Sequence, residues 1–276
     1  MTAPGQLTRE GTNRKATVGG LEVNYYEAGS GPVLLCTHGG GPGANAWDNT
    51  RHSLAELARD FRVILMDLPG FGGSQKHVSR GGVPMDVFLA RLKRDFLDEL
   101  GIQRASVYGS SAFSAAALRF GLAYPERTGK VIIQAYSPVP EGAPTPGLLS
   151  LQAFAKDPSL ENMRRMCEMF VPDPRLCTPE FVQARFDAAM IPGHLESRRE
   201  FPMSANSDLR DELPGLGAPV LVLWGARDNM IPVKGVLDGL ALIPDVRAHV
   251  WGGTGHFVAY EHPAEFARLV AGFLRS

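Results

Sequence analysis

The fold of this chain is decided at Val107-Tyr108-Gly109-Ser110-Ser111-Ala112-Phe113-Ser114. An apolar run typical of a buried strand stops here, and residues 115–123, which are rich in helix formers, follow with almost no room for a turn. Such a strand-to-helix turn is the setting of the Gly-x-Ser-x-Gly motif, in which a serine with a strained backbone exposes its hydroxyl. Gly109 fills the first glycine position, and Phe113 stands at the second. The motif predicts Ser111 as a nucleophile, in an elbow that departs from the pattern at one position.

Two neighbouring serines leave the assignment open. Ser110 and Ser114 lie in the same turn, and all three serines could instead cap the helix, as strand-to-helix turns favour. Counting two residues from Gly109 favours Ser111. The backbone amide of Ala112, at the start of the helix, is then placed to bind a developing oxyanion.

Short apolar runs alternate with longer amphipathic stretches along most of the chain. Runs of this kind predict strands buried on both faces, at residues 33–36, 63–66, 105–108, 131–133, 220–224 and 249–251. The helical patterns between them indicate an α/β fold, with a mainly parallel sheet wrapped by helices. Residues 16–28 have alternating polarity and a turn-like Gly19-Gly20, which together predict an antiparallel hairpin.

The interval 137–213 breaks this alternation. It is rich in proline, lacks strong strand runs and contains amphipathic helical patterns at 160–170 and 179–190. We interpret it as a helical lid inserted over the carboxyl ends of the strands, where an open α/β sheet binds its ligands. Residues 1–136 and 214–276 then form the core. The apolar residues of the lid could line a pocket or form a core of their own: Met163, Met166, Met169, Phe170 and Phe186.

Two later strand ends carry the partners that a nucleophilic serine needs. Gly255-His256-Phe257 follows one predicted strand and precedes the last helix, so His256 is placed to accept the serine proton. Asp228 follows the strand before it and can accept the imidazole N–H, which sets the tautomer of the histidine. The chain order is serine, aspartate, histidine. Strand ends and order together predict a catalytic triad of Ser111, Asp228 and His256.

A glycine-rich loop, His38-Gly39-Gly40-Gly41-Pro42-Gly43, follows an early strand and is called the glycine loop below. Its glycines let backbone amides approach a substrate oxygen closely. The amide of Gly40 or of Gly41, together with that of Ala112, is therefore predicted to form an oxyanion hole. The loop lacks the lysine of a P-loop and the spacing of a dinucleotide site. We expect His38 to be a structural residue beneath the loop.

Composition excludes several classes of protein. The chain has 276 residues, 44% of them hydrophobic, and a formal charge of -1, which gives no general attraction to nucleic acid or to an anionic membrane. No apolar run approaches a membrane span, and residues 1–14 do not resemble a signal peptide. The three cysteines match no zinc or redox spacing. We expect reduced thiols in a cytoplasmic protein, with Cys36 buried as a small apolar residue.

Several motifs together resemble the meta-cleavage-product hydrolases, which are carbon–carbon bond hydrolases of aromatic and steroid ring degradation. The resemblance covers nearly the whole chain and is weakest in the insertion. Its motifs are the glycine loop with Trp47-Asp48-Asn49, Asp67-Leu68-Pro69-Gly70-Phe71-Gly72, Leu100-Gly101-Ile102, Tyr124-Pro125-Glu126-Arg127, and Gly255-His256-Phe257 with Glu261-His262-Pro263. The resemblance implies the α/β-hydrolase fold, with a mainly parallel, twisted eight-stranded sheet, helices on both faces and a helical lid.

The same resemblance implies a reaction without metal or cofactor, on 2-hydroxy-6-oxo-hexa-2,4-dienoates. The site would ketonise the dienol, add water at C6 and break the C5–C6 bond, with His256 as the base. It implies that Asn49 and Arg185 bind the carboxylate and enol end, and an arginine fork suits a carboxylate. Ser110 and Phe257 would line the reacting end, and the protein would be a homodimer or a higher homo-oligomer. Arg185 could instead be a solvated helix residue and Asn49 a helix cap.

Four positions depart from the family pattern, which has asparagine, a larger residue, glycine and often tryptophan at Ser110, Ala112, Phe113 and Phe257. Two other functions therefore stay open. A carboxylesterase or lactonase with the same triad needs only the triad and the oxyanion hole. A ligand-binding protein without hydrolytic activity would explain the altered elbow, but it would not explain why Asp228 and His256 are both present.

Overall fold

The computed structural model describes residues 7–138, 143–202 and 205–276. Eight strands of the described part form one sheet in the order β1-β2-β4-β3-β5-β6-β7-β8. Their bounds are β1 Asn13–Val18, β2 Leu21–Ala28, β3 Val33–Thr37, β4 Arg62–Met66, β5 Ala105–Ser110, β6 Thr128–Gln134, β7 Val220–Gly225 and β8 Val246–Trp251. The pairs β1·β2 and β2·β4 are antiparallel, and the other neighbouring pairs are parallel. The predicted hairpin and mainly parallel sheet are confirmed.

Helices connect the strands, and their starts follow local sequence. Asn45, Ser159 and Thr178 each accept a backbone N–H of the first helical turn as N-cap residues. The bounds are α1 Arg9–Thr12, α2 Ala46–Leu57, α3 Met85–Glu99, α4 Ser114–Ala123, α5 Pro146–Lys156, α6 Leu160–Phe170, α7 Pro179–Ala189, α8 His194–Ser197, α9 Gly235–Leu242, α10 Val258–Glu261 and α11 Pro263–Arg275. Short 3₁₀ turns lie at Ser111–Phe113, Pro125–Arg127, Arg198–Glu200 and Leu213–Gly215.

The sheet separates two apolar cores. Successive side chains of a strand point to opposite faces, so Val107 packs in one core and Tyr108 in the other. The first core contains residues of α3 and α4, and the second contains residues of α2 and α11. All six residues of β7 are buried, as is expected of a strand covered on both faces. Because helices cover both faces of the sheet, the strand sequences are continuous apolar runs.

The helices α5 to α8 follow β6 and precede β7, within the interval interpreted as an insertion. Their apolar side chains form a third core, in which Met163 and Met166 are fully buried. Met230 and Phe257, from loops that follow β7 and β8, complete this core, so the insertion packs at the carboxyl ends of the strands. The division at 137 and 213 stays a prediction. Residues 139–142, 203 and 204 of the interval lie outside the described residues.

Other expectations concern the surface and the thiols. Within the described ranges, no helix combines the length and the apolarity that crossing a membrane requires. Cys36, Cys167 and Cys177 are unpaired thiols, and burial raises the pKa of Cys36 well above its usual range. Cys36 thus has the small apolar role expected of it. Residues 1–6 of the segment expected not to be a signal peptide lie outside the described residues.

Candidate active site

The turn between β5 and α4 has the backbone of a nucleophile elbow. Ser111 has a φ of 54°, a left-handed conformation that residues other than glycine rarely adopt. A Cβ on Gly109 would lie 2.8 Å from the carbonyl oxygen of Phe113, so this position needs glycine. Strained residues of this kind cost about 1–3 kcal/mol and concentrate at functional sites. The elbow geometry is therefore present although its second glycine is not.

Phe113, at the second glycine position, finds its space beneath the glycine loop. Its side chain is fully buried, and its ring lies edge-on to His38 and Phe71, with centroid distances of 5.8 and 5.5 Å. A Cβ on Gly40 would lie 3.4 Å from the ring. The side chain of Phe113 thus packs beneath the glycine loop and supports it, and it does not separate α4 from the sheet.

The three serines of the turn have different surroundings. The Ser114 hydroxyl donates to the carbonyl oxygens of Gly109 and Gln134, at 2.8 and 3.1 Å. The Ser110 hydroxyl is buried and accepts a hydrogen bond from Gln134 Nε2 at 3.2 Å. Neither serine accepts a backbone N–H as a helix cap, so the capping interpretation is wrong for both.

Ser111 differs from both neighbours. Its hydroxyl makes no hydrogen bond with any residue that the structure describes, His256 included. Contacts between nucleophile and base are often long without substrate and tighten only in the complex. Of the three serines, Ser111 has the strained backbone and the unoccupied hydroxyl, which is the arrangement that the sequence pattern led us to expect.

Asp228 and His256 lie in the loops that follow β7 and β8. His256 Nδ1 is 2.7 Å from Asp228 Oδ2, and both side chains are buried. Asp228 Oδ1 accepts the backbone N–H groups of Met230 and Ile231, at 2.7 and 3.0 Å. A carboxylate held in this way accepts a hydrogen bond from a protonated Nδ1, which leaves Nε2 of the imidazole with a lone pair. His256 is therefore arranged to accept a proton.

The backbone around His256 is fixed from three sides. Glu261 accepts the N–H groups of Gly255 and Phe257, at 3.0 and 3.2 Å, and burial raises the pKa of this carboxyl. Gln134 Nε2 donates to the carbonyl oxygen of His256 at 2.7 Å. The N–H of His256 itself donates to the carbonyl oxygen of Phe170, in the insertion, at 2.7 Å.

The glycine loop leaves two amides available. His38 Nε2 accepts the N–H of Leu68 at 3.0 Å, and burial lowers the pKa of His38 to about 4, so the ring is neutral and structural, as expected. The N–H groups of Gly40 and Gly41 donate to no atom of the described residues. A Cβ on Gly40 would lie 3.3 Å from the Cβ of Ala112, so loop and elbow are in contact. This is the arrangement that an oxyanion hole requires.

Arg185, on α7, is buried, so it is not a solvated helix residue. Its side-chain Nε has no hydrogen-bond partner, and no carboxylate of the described chain pairs with it. The guanidinium carbon lies 5.0 Å from the ring centroids of both Phe170 and Phe257, and burial lowers the pKa of the group. Because an unpaired buried cation is costly, the site is suited to an anionic ligand.

Asn49 lies in the first turn of α2 but is not its cap, because Asn45 takes that role. One cavity of about 370 Å³ between α2 and α7 is lined by Asn49, Arg185 and Phe257, among other residues. Its wall does not include Ser111 or His256. Three of the four residues expected to bind substrate thus lie together. Ser110 does not join them, because it is buried against Gln134.

Sequence reasoning missed three residues that shape the site. Gln134 is the polar end of an apolar strand run, and that change of polarity at a strand end was an available signal. His194 accepts the N–H of Gly43 at 3.0 Å, and Arg198 donates to the carbonyl oxygen of Gly40 at 3.1 Å. Nothing in the local sequence of the insertion distinguishes these two residues from surface side chains.

The chain also has clear relatives. A model of the alpha/beta hydrolase family matches residues 33–269. The chain is 36% identical over 274 residues to the 2-hydroxy-6-oxononadienedioate/2-hydroxy-6-oxononatrienedioate hydrolase of Burkholderia vietnamiensis, with 92% of this chain and 91% of that protein covered. It is 36% identical over 269 residues to the 2-hydroxy-6-oxo-6-phenylhexa-2,4-dienoate hydrolase of Burkholderia cepacia, with the same coverage of 92% and 91%.

A solved structure agrees with these relatives. The meta-cleavage product hydrolase of Pseudomonas fluorescens, in complex with acetates, matches this structure with a TM-score of 0.86 at 27% identity. The match covers 95% of this chain and 97% of that one. The chain therefore belongs to the meta-cleavage product hydrolases of the alpha/beta hydrolase family.

Proposed function

We propose that this protein hydrolyses a carbon–carbon bond in a 2-hydroxy-6-oxo-hexa-2,4-dienoate-type ring-fission product of aromatic degradation. Ketonisation moves the proton of the C2 hydroxyl to C5. Addition of water across the C6 carbonyl is then followed by cleavage of the C5–C6 bond. The products are a carboxylic acid, which carries the C6 substituent, and a 2-hydroxypentadienoate. Relatives of similar length that are 36% identical carry names of this activity, which supports the proposal.

The roles proposed for the site follow from its geometry. His256 accepts protons through Nε2, since Asp228 occupies Nδ1 at 2.7 Å. Ser111 either attacks C6 or assists the water that does. The oxyanion that develops on the C6 oxygen would be stabilised by the amide of Ala112 and one amide of the glycine loop, Gly40 or Gly41, which act best in a site that excludes water.

One observation carries the choice of substrate class: the buried, unpaired Arg185 beside the glycine loop. A Cβ on Gly41 would lie 2.9 Å from Arg185 Nη2, so the guanidinium lies directly against this loop. A substrate carboxylate would supply the missing partner through charge-assisted hydrogen bonds. Asn49, in the same cavity, would bind the enol end, and Phe257 would form an apolar wall. An ester hydrolase has no need of this cation.

The departure at Ser110 favours a second candidate. The family has an asparagine here, whereas the hydroxyl of Ser110 is buried and bonded to Gln134. A site that lacks this amide could favour a simpler carbonyl substrate, so a carboxylesterase or lactonase that uses the same triad is the alternative.

The deciding experiment follows the visible absorbance of a 6-phenyl dienoate ring-fission product. We expect the absorbance to decay with wild-type protein and to persist with Ser111→Ala. Rapid cleavage of 4-nitrophenyl acetate without any decay of dienoates would contradict the carbon–carbon assignment and leave the esterase. Absence of labelling by a fluorophosphonate, with equal behaviour of Ser111→Ala and wild type, would leave a ligand-binding protein instead.

Three further predictions belong to this proposal. Residues 137–213 would form the lid over the site. The protein would be a homodimer or a higher homo-oligomer, and exposed apolar side chains such as Leu237 and Val250, near the β8 edge of the sheet, are available for such contacts. It would act in the cytoplasm, where thiols such as Cys177 stay reduced. Light scattering after size-exclusion chromatography would measure the oligomeric state directly.

A further inference from the structure

The side chain of Gln134 contacts both the serine elbow and the loop that carries the base. Gln134 ends β6, a strand that lies between β5 and β7 in the sheet. Its Nε2 donates to the hydroxyl of Ser110 at 3.2 Å and to the carbonyl oxygen of His256 at 2.7 Å. Ser110 immediately precedes Ser111 in the chain. One amide group therefore bonds to the residue beside the nucleophile and to the backbone of the base.

A tyrosine completes this arrangement. The Tyr108 hydroxyl donates to Gln134 Oε1 at 2.7 Å, and the side chains of Tyr108, Gln134 and Ser110 are all buried. Burial raises the pKa of Tyr108 far above its usual range, so the phenol keeps its proton and acts as a donor. A hydrogen bond with Ser110 acts on this pKa in the opposite direction, which places the serine hydroxyl beside the phenol oxygen. We call these three buried side chains the Gln134 network.

The partners of the Gln134 amide fix its orientation. The carbonyl oxygen of His256 can only accept, so the NH2 group of the amide must face it. Both hydrogens of this NH2 group are used, one by His256 and one by Ser110. The amide oxygen faces the Tyr108 hydroxyl, which has a single proton to donate. Rotation of the amide would therefore break all three bonds, and a buried network that is fully satisfied in this way is rigid.

The backbone of His256 has no other connection of this kind to the elbow. Asp228 bonds to the ring of His256, and Glu261 holds the N–H groups on either side of it. Within the described chain, neither carboxylate has a hydrogen bond to the elbow, and the carbonyl oxygen of His256 accepts from Gln134 alone. The separation of the elbow and the base thus depends on Gln134. A displacement of about 1 Å between reacting groups can cost about 10²-fold in rate.

We propose that Gln134 is a positioning residue, which holds the elbow and the loop of His256 at the separation that proton transfer from Ser111 requires. Tyr108 fixes the amide of Gln134 in the orientation that makes this possible. The proposal rests on the proposed function only in that it requires proton transfer between Ser111 and His256. It goes beyond that function because it assigns a role in the reaction to two residues outside the triad, the oxyanion hole and the anion-binding cavity.

The first test compares Gln134→Met with Ile132→Met. Methionine has nearly the volume of glutamine but donates no hydrogen bond, so Gln134→Met removes the bonds and leaves the space filled. Ile132 lies two positions earlier on the same strand and the same face, is fully buried and is not part of the Gln134 network. We expect Gln134→Met to lower kcat about tenfold and to change KM less than about twofold. The kcat of Ile132→Met should stay within about twofold of wild type.

A double-mutant cycle with Tyr108→Phe tests whether the two residues act together. Tyr108→Phe keeps the ring that packs against Phe266 and removes the bond to Oε1, so kcat should fall about threefold. The double variant should be no slower than Gln134→Met, because the tyrosine acts only through the amide. Tyr25→Phe is the control and should match wild type, since Tyr25 is buried and its hydroxyl has no hydrogen bond among the described residues.

Labelling by a fluorophosphonate and binding of benzoate separate the reaction from the binding of ligands. The fluorophosphonate reacts with Ser111 when His256 accepts the serine proton, whereas benzoate binds without any proton transfer. Gln134→Met should slow labelling about tenfold and change the affinity for benzoate less than about twofold. A merely structural role would lower the free energy of unfolding, measured with urea, without slowing the labelling of the folded variant.

Three results would overturn the proposal. The first is equal kcat values for Gln134→Met and Ile132→Met, and the second is a loss confined to KM or to the affinity for benzoate. The third is a double variant in which the two losses add, since additivity would mean independent structural effects. If Gln134→Met does not fold, Tyr108→Phe carries the test, and a wild-type kcat with a wild-type labelling rate in that variant contradicts the proposal.

The proposed function can fail separately from this proposal. A wild-type protein that the fluorophosphonate labels but that does not cleave dienoates would contradict the carbon–carbon assignment. The labelling rates of wild type and Gln134→Met would then still decide the role of Gln134. A wild-type protein that is not labelled and cleaves neither dienoates nor 4-nitrophenyl acetate would overturn both, because both require proton transfer between Ser111 and His256.

Discussion

The Ser111–His256–Asp228 group and the glycine loop are held in different ways. The first is carried by the carboxyl ends of β5, β7 and β8, which are hydrogen-bonded neighbours or near neighbours in the sheet. The second depends on side chains of the insertion, since Arg198 bonds to Gly40 and His194 bonds to Gly43. The group that would react is thus built on the rigid sheet, while the loop that would stabilise charge is completed from a separate layer.

Because of this difference, substitutions in the insertion should affect the two regions unequally. Ser111, Asp228 and His256 follow strands that are hydrogen-bonded within one sheet, so their relative positions depend mainly on that sheet. Arg185, which we propose binds the substrate carboxylate, lies on α7, in a part of the chain that is separate from the strands. One contact links the two regions closely, since the N–H of His256 donates to the carbonyl oxygen of Phe170, at the end of α6.

The largest expected effect is on the sheet-end region. Asp228→Asn should lower kcat by about 10⁴-fold. The amide oxygen would keep the N–H groups of Met230 and Ile231, so the amide NH2 would face Nδ1 of His256 and favour the wrong tautomer. Asp245→Asn, at an exposed position, is the matched control and should leave kcat unchanged. Steady-state kinetics on a dienoate or on 4-nitrophenyl acetate measures the difference. Retention of more than about a tenth of the activity by Asp228→Asn would remove the triad from the mechanism.

A substitution of Phe113 tests the contact between the two regions, because this side chain extends from the elbow to beneath the glycine loop. Phe113→Ala should lower the free energy of unfolding by about 4 kcal/mol, since it removes a fully buried ring that packs on His38 and Phe71. Phe88→Ala removes a half-buried ring and should cost less. Urea unfolding gives both values. If the two variants lose equal stability, the ring of Phe113 does not support the loop as described.

The pH dependence of stability tests two buried histidines, His38 within the glycine loop and His194 of the insertion. Burial lowers the pKa of His38 to about 4 and that of His194 to about 3. Below about pH 6.5 these two histidines bind protons in the unfolded chain but not in the folded protein. The stability that is present at higher pH is therefore lost as the pH falls toward the pKa values of the folded protein. Between pH 7 and pH 5.5 the loss should be about 2 kcal/mol for the pair.

The share of each histidine can be separated. His194→Gln keeps an acceptor for the N–H of Gly43 but removes one titrating group, so about half of the pH dependence should disappear. Urea unfolding of wild type and variant at both pH values measures this share. An unchanged pH dependence in the variant would show that His194 titrates normally and is not held as a neutral link.

The smallest expected effect is that of replacing Arg185, which should change KM and the free energy of unfolding in ways that can be measured separately. Arg185→Met should raise KM for a carboxylate-bearing substrate about tenfold, while KM for 4-nitrophenyl acetate stays the same. The same change should raise the free energy of unfolding by about 1 kcal/mol, because it removes an unpaired buried charge. Arg164→Met, an exposed residue of α6 paired with Glu168, is the control. An unchanged KM would contradict the role of Arg185.

Much of the core could be predicted because its signals are local. Strands such as β7 are buried on both faces, so their apolar runs stand out, and the residues that follow them lie at one edge of the sheet. Chain order then predicted Asp228 and His256 as partners, and the structure brings them to 2.7 Å. Helices of the insertion were also found closely, since 160–170 and α6 coincide.

The contacts that complete the site could not be predicted in the same way. Gln134 reaches the carbonyl of His256 across 122 positions of the chain, and Arg198 reaches Gly40 across 158. Periodicity tells which face of a helix is apolar, but it does not tell which loop a polar side chain on the other face will meet. Asn49 and Asn45 illustrate this, since only the structure distinguished the helix cap from the residue that lines the cavity.

The sequence by itself determined the α/β class, the strand ends that carry Ser111, Asp228 and His256, and the need for glycine at Gly109. These follow from short-range physics: burial patterns, turn geometry and the order of strands. The tertiary structure decided where Phe113 packs, that Arg185 is buried without a partner, and that Arg198 and His194 hold the glycine loop. Those features depend on how the insertion packs on the sheet, and that packing is set by many weak apolar contacts that no local pattern specifies.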